Sequence, residues 1–319
     1  MTLDPITSRV LVVGVSDYED SSMENLPTVL ASAEAFAALL REPALWGVAP
    51  DNCTLLLNPQ SSQDVLRALR QAAMAAEDGL VVYFAGHGIV SEDGRLYLGL
   101  PAATRSAPVM GLSYDDVRSV IVQSKAVHKV IILDCCYSGL ALTGILGERQ
   151  RPADLTVTEN TFVLTSSAES KSSLAPATET YTAFSGELIK AIRMGIPGPP
   201  EIDMARLFLH LEEQLRLKGR PIPQQRSRGH GGNAVLVRNR WRDTLVLTPA
   251  PPAAPPASPP KPGHRGILFG AVSVVTAVGV IMATMYGAGL VRSLHTPDPS
   301  NSSTHSSKRC PVNDLRHAG

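Results

Sequence analysis

The sequence predicts an α/β protein built as a three-layer sandwich around a mostly parallel sheet. Two observations point there. Short apolar, β-branched runs recur through residues 1–243 with helical patterns between them, and alternation of this kind buries a sheet between two layers of helices. The runs are also apolar at nearly every position, the signature of strands covered on both faces.

In chain order, the first strand is Arg9–Val15 (RVLVVGV), followed by a helical pattern at about 28–41. Cys53–Leu57 is the second strand, about 61–77 the second helix, and Leu80–Ala85 (LVVYFA) the third strand. A helical pattern at about 113–124 leads into Lys129–Leu133 (KVIIL). Thr161–Thr165 is the last apolar run before helices at about 182–194 and 202–217. Strands joined this way are expected to use right-handed crossovers, and sites in such sheets gather beyond the carboxyl ends of the strands.

The domain is expected to end at residue 243. Eight of the sixteen residues Thr248–Gly263 are proline, which removes amide donors and locks φ, so 244–265 reads as a linker. The proline run reaches about 50 Å at roughly 3.1 Å per residue. Gly266–Val291 then runs without one charged residue. A helix of that length spans roughly 39 Å, enough for a hydrocarbon core of about 30 Å, and is read as a single transmembrane helix. Gly266 and Gly270 form a GxxxG pair at its edge, a weak dimerisation signal. Residues 292–319 read as a short disordered tail. Residues 1–10 lack the basic start and apolar core of a signal peptide, so the N-terminal domain is expected on the cytoplasmic side of the cell membrane. Lys261, His264 and Arg265 agree with a positive inner face, whereas Arg292, Lys308, Arg309 and Arg316 lie on the other side.

The chain carries 29 Lys+Arg and 29 Asp+Glu. That neutrality is a cancellation: residues 1–243 hold 23 basic and 27 acidic side chains, and the remainder 6 and 2. A nucleic-acid binder would carry a basic excess, so no nucleic-acid partner is expected. Four cysteines, two of them adjacent (Cys135, Cys136), are read as reduced thiols rather than a disulfide framework.

Two strand ends carry chemistry. VVYFAGHGIV places Gly86-His87-Gly88 directly after a strand, and VIILDCCYSG places Asp134, two cysteines and Ser138-Gly139 after another. On parallel strands these ends share one edge, where an imidazole and a thiol can act as base and nucleophile. Neighbouring glycines let backbone amides approach a carbonyl oxygen. Taken singly, each piece has a plain structural reading. Gly-His-Gly also suits a tight turn or a phosphate loop, and a cysteine at a strand end also suits a core. Neither GxxxxGK[ST] nor GxGxxG is present to support a nucleotide site.

With both motifs in this order, the chain resembles the caspase-like cysteine peptidases, nearer to metacaspases and bacterial caspase-like proteins than to animal caspases. The resemblance covers about residues 8–240 and includes VLVVGVSDYED, YFAGHG, DCCYSG, VLTSSAES, YTAFSGELIKAI and AVLVRN. His87 and Cys136 stand 49 residues apart, close to the caspase spacing of about 50. The animal signature Gln-Ala-Cys-Arg-Gly is absent, which removes the basis for cleavage after aspartate. The resemblance implies a caspase-like fold and an endopeptidase acting on protein or peptide substrates. His87 is then the base, Cys136 the nucleophile, and the amides of Gly88 and Cys136 the oxyanion hole. Asp134 is implied to line the pocket for the side chain before the scissile bond, favouring Arg or Lys, with Asp17 as a possible second carboxylate or an ordinary loop residue. For bacterial relatives it implies a setting of stress, cell death or conflict. Cys135 should point away from the cleft, because side chains alternate along an extended segment.

Other residues rank lower. Ser166 and Ser167 follow the fifth strand near the cleft, and Asp115 and Asp116 suit the start of a helix. Arg149 and Arg151 are candidate self-cleavage points. Glu148, Asp154 and Glu159 lack calcium-loop spacing, so no cofactor or metal is expected from a motif, although some metacaspases need calcium. The rival class is a catalytically silent scaffold at the membrane, which would not require His87, Cys136 and their glycines.

Overall fold

A computed structural model describes residues 2–143, 160–166 and 179–241. These all belong to the first of two compact units, 1–253 and 254–319. The linker, the span at 266–291 and the tail therefore lie outside the described residues, as do Arg149, Arg151, Glu148, Asp154, Glu159 and Ser167. Among the described residues no helix is long and apolar enough to cross a membrane.

Among the described residues the main sheet has six strands: β1 (Arg9–Gly14), β2 (Cys53–Leu57), β3 (Gly79–Ala85), β7 (His128–Asp134), β8 (Thr161–Thr165) and β10 (Gln224–Arg228). Their spatial order is β10-β8-β7-β3-β1-β2. Five are mutually parallel, and β10 alone runs antiparallel, against β8. Side chains alternate cleanly between two cores. Val10, Val12, Val81, Tyr83, Val130, Ile132, Phe162 and Leu164 face one core, with α1 (Pro27–Arg41), α5 (Ala183–Met194) and α6 (Met204–Leu217). Leu11, Val13, Val82, Phe84, Ile131, Leu133 and Val163 face the other, with α2 (Ser62–Ala75) and α3 (Tyr114–Gln123). The three-layer architecture with a mostly parallel sheet follows from that double burial.

Local chemistry sets the helix starts. Pro27 opens α1, where a missing N–H costs nothing. Ser61, Thr182 and Asp203 cap α2, α5 and α6 by accepting backbone N–H groups of Asp64, Ser185 and Arg206. Asp115 and Asp116 lie in the first turn of α3.

Three features escaped the sequence reading. β10 is QQRSR, without an apolar residue, because an edge strand needs no alternating core face. A small sheet forms from β4 (Gly88–Val90), β5 (Leu96–Leu98) and β6 (Leu112–Ser113), and a two-stranded one from β9 (Glu201–Asp203) and β11 (Val235–Arg238). All of these strands are too short for a periodic signal.

The parallel strands stand in the order second-first-third-fourth-fifth, with the reversal between β1 and β3. Consistently, α1 covers one face while α2 and α3 cover the other. A sheet of this order opens its binding crevice at that switch point, beyond the carboxyl ends.

Phe36 of α1 is fully buried and stacks on Tyr83 of β3, with ring centroids 4.7 Å apart. Phe36→Ala should lower the unfolding free energy by about 3–5 kcal/mol. A urea titration followed by Trp fluorescence measures it, and a loss under about 1 kcal/mol would contradict this packing.

Candidate active site at the carboxyl edge of the sheet

Four neighbouring strands deliver residues to one edge. β1 leads to Asp17 and Tyr18, β3 to His87, β7 to Cys136, and β8 to Ser166. Gly14, Ala85 and Asp134 are opposite one another across β1, β3 and β7. His87 and Cys136 thus each lie two residues beyond the same paired level. The loops then touch. A methyl group on Gly88 would sit 1.9 Å from the Cys136 carbonyl oxygen, so only glycine permits this approach.

Strand β7 ends in a sharp elbow. Tyr137 has φ +55°, the left-handed region that a non-glycine residue seldom occupies. The chain then turns into α4 (Leu140–Thr143), the Leu140 amide donating to the Tyr137 carbonyl at 3.0 Å. Cys136 stands at this elbow, partly exposed, while Cys135 is fully buried in the core beside α2 and α3. Burial pushes the Cys135 thiol well above its ordinary pKa, and nearby Cys136 and Asp134 add to the shift. A neutral, fully buried thiol is a poor nucleophile, so Cys135 is a core residue.

His87 is half-buried and held at two points. Its Nε2 lies 2.8 Å from the Glu24 carbonyl oxygen, and its amide donates to the Tyr18 hydroxyl at 2.8 Å. A carbonyl only accepts, so Nε2 carries the hydrogen and Nδ1 keeps the lone pair. Burial lowers the His87 pKa and Arg105 lowers it further, against the Glu24 carbonyl, which raises it. The imidazole is therefore neutral at pH 7.

The carboxylates are placed differently. Asp17 is exposed, and its Oδ2 accepts from Asn58 Nδ2 at 2.7 Å. Asp134 is 2% exposed and turns into the α5 side of the sheet. Its Oδ2 accepts the hydroxyls of Thr182 and of Ser185, the latter at 2.6 Å. Ser185 also bonds the Tyr83 hydroxyl at 2.7 Å, and the Thr182 amide donates to Ser32 Oγ at 3.2 Å. Asp134 Oδ1 is buried without a hydrogen bond of good geometry. Burial raises the Asp134 pKa, opposed by the hydroxyls of Ser185, Thr182 and Ser166. Ser166 is buried, its hydroxyl donating to the Cys135 carbonyl at 3.3 Å, so it ties the end of β8 to the end of β7.

Sequence reasoning missed Tyr18, the Glu24 carbonyl, Asn58 and the Thr182–Ser185 pair. Thr182 alone left a signal, as a hydroxyl residue immediately before a helix. Among the described residues no group of three or more His, Cys, Asp or Glu is arranged to hold a metal ion. A cavity of about 510 Å³ lies elsewhere, lined by Pro199, Pro200, Glu201, Asp203, Asn233, Val235 and Arg238, and holds none of these site residues.

Comparison with known proteins agrees with this architecture. The family model described as the caspase domain (Peptidase_C14) matches residues 7–230. The crystal structure of caspase-1 from Spodoptera frugiperda is similar with a TM-score of 0.54. That likeness has 15% sequence identity and covers 74% of this chain and 90% of that one, so it speaks for the fold. No curated protein matches the sequence.

A folded-state pKa raised above the unfolded value contributes stability at low pH that fades as pH rises through it. Asp134→Asn removes this loss. The variant should gain stability relative to the parent chain as pH rises above the ordinary aspartate value of 3.8, measured as paired urea midpoints. An unchanging difference would contradict the burial of the charge.

Proposed function

The chain belongs to the caspase-domain family of cysteine peptidases, and on that premise we propose that it is an endopeptidase with Cys136 as nucleophile and His87 as base. The observation that carries this reading is the shared level of β3 and β7, which sets the His87 and Cys136 loops against each other at Gly88. Cleavage after Arg or Lys, and tethering through residues 266–291, complete the proposal.

The chemistry runs as proton and acyl transfers. His87 Nδ1 takes the Cys136 thiol proton, and the Glu24 carbonyl holds the ring and steadies the imidazolium through Nε2–H. The thiolate adds to the scissile carbonyl, whose oxygen is received by the amides of Gly88 and Cys136. The imidazolium returns its proton to the departing amine. Water, deprotonated by His87, then hydrolyses the thioester and restores the thiol.

Specificity for a basic side chain rests on two carboxylates. Asp134 is a buried carboxylate at the end of β7, and Asp17 stands exposed at the end of the adjacent β1–β3 crevice. A guanidinium reaching Asp134 would form charge-assisted bonds where little water competes.

Cys136→Ala should abolish cleavage of Arg- and Lys-containing peptides by the full-length protein, whereas Cys135→Ala retains most of it. The opposite pattern refutes the assignment, and a profile confined to aspartate refutes the roles of Asp134 and Asp17.

The base is active unprotonated, and its pKa lies below the ordinary 6.5. The acidic limb of kcat/KM should therefore fall below pH 6.5, with activity lost as pH drops through it. Arg105→Gln removes a cation that opposes imidazolium formation, so the limb should move upward. A limb that stays in place or moves downward contradicts the stated electrostatics.

A further inference from the structure

We infer that Tyr18 is the positioning residue for the His87 base, acting through its hydroxyl on the His87 amide and through its ring on the imidazole. The inference rests on the peptidase reading above and concerns a residue to which that reading gives no role.

Tyr18 lies three residues beyond Val15, in the crevice between the ends of β1 and β3, and is 8% exposed. Its hydroxyl accepts the His87 N–H at 2.8 Å and donates to the Val15 carbonyl at 3.2 Å. One hydroxyl thereby links the backbones that follow β1 and β3. Its ring lies 4.7 Å from the imidazole, centroid to centroid, tilted by 58°. At that distance an aromatic ring attracts the cationic imidazole that forms during proton transfer.

The surroundings leave little freedom. A methyl on Gly86 would fall 2.9 Å from the Tyr18 hydroxyl, and one on Gly99 would fall 3.2 Å from the ring. The tyrosine amide donates to Asn25 Oδ1 at 2.9 Å, which folds residues 18–25 back on themselves. Glu24, next to Asn25, presents the carbonyl that holds His87 Nε2. Both restraints on His87, at its amide and at its ring nitrogen, thus come from one loop, and Tyr18 and Asn25 set their separation. Proton transfer depends on sub-ångström placement of the base, so slackness here is felt in turnover rather than in substrate affinity.

The test compares full-length parent, Tyr18→Phe and Tyr18→Leu on an Arg-containing peptide. Alkylation of Cys136 by iodoacetamide and thermal unfolding are measured alongside. Tyr18→Phe keeps the ring and loses the hydroxyl; its kcat should fall about tenfold with KM within about twofold. Cys136 alkylation should slow in step while Tm holds. Tyr18→Leu should fall further in both rates. A Tyr18→Phe protein with unaltered kcat and alkylation overturns the inference, as does a loss accounted for by its unfolded fraction. If the parent cleaves no peptide, the peptidase reading fails. The alkylation rates then decide the role of Tyr18 alone, with equal rates in parent and Tyr18→Phe overturning it.

Discussion

The site depends on one constraint: β3 and β7 are neighbours, parallel, and paired so that Ala85 and Asp134 end level. Because both faces of these strands are buried, register is fixed twice over, by two cores rather than one. A slip of one residue would send Tyr83, Ile132 and Asp134 into the core beside α2 and α3, and their neighbours into the other. The last residues of β7 are sorted by the same rule. Asp134 goes to the α5 side, Cys135 to the α2–α3 side, and Cys136 is the first residue that neither core claims. The parity of the strand, more than any property of the thiol, decides which cysteine meets solvent.

That sorting explains why two adjacent, identical side chains differ in exposure. Cys135 loses water on all sides and stays a neutral thiol. Cys136 sits at the turn forced by the left-handed Tyr137, on the edge where His87 arrives. The imidazole is tuned in the complementary sense. Partial burial and Arg105 disfavour its charge, and the carbonyl of Glu24 restores some of it. Under the peptidase proposal, a base that is neutral at rest but supported once protonated would serve both halves of an acyl transfer.

Much of the fold was legible because both-sided burial leaves near-continuous apolar runs, as in LVVYFA and KVIIL. The edge strand QQRSR was not, since its pairing is backbone chemistry that side chains do not announce. At the site, His87 and Cys136 stood out by residue type and by the glycines beside them. The groups that hold His87 did not. Tyr18 lies 69 residues from it in the chain, and the Glu24 contribution is a main-chain carbonyl that any residue could provide. Asp134 was visible as a carboxylate near Cys136, but its partners Thr182 and Ser185 lie 48 and 51 residues away. Long-range polar pairing has no sequence period, so it becomes readable only after the sheet has assembled.

Asp134 shows what such pairing does. A carboxylate removed from water is costly unless hydrogen bonds compensate, and here Thr182 and Ser185 satisfy a single oxygen. Both donors belong to the start of α5, whose positive end also favours a negative charge. The arrangement therefore ties β7 to α5, through the same serine that binds Tyr83 on β3. The Ser166 hydroxyl adds to this support, yet burial still outweighs it and raises the Asp134 pKa. Under the proposed specificity, a basic side chain brought to Asp134 would favour the ionised form that burial opposes. The same desolvation that makes Asp134 expensive in the empty protein is what would make a cation worth binding.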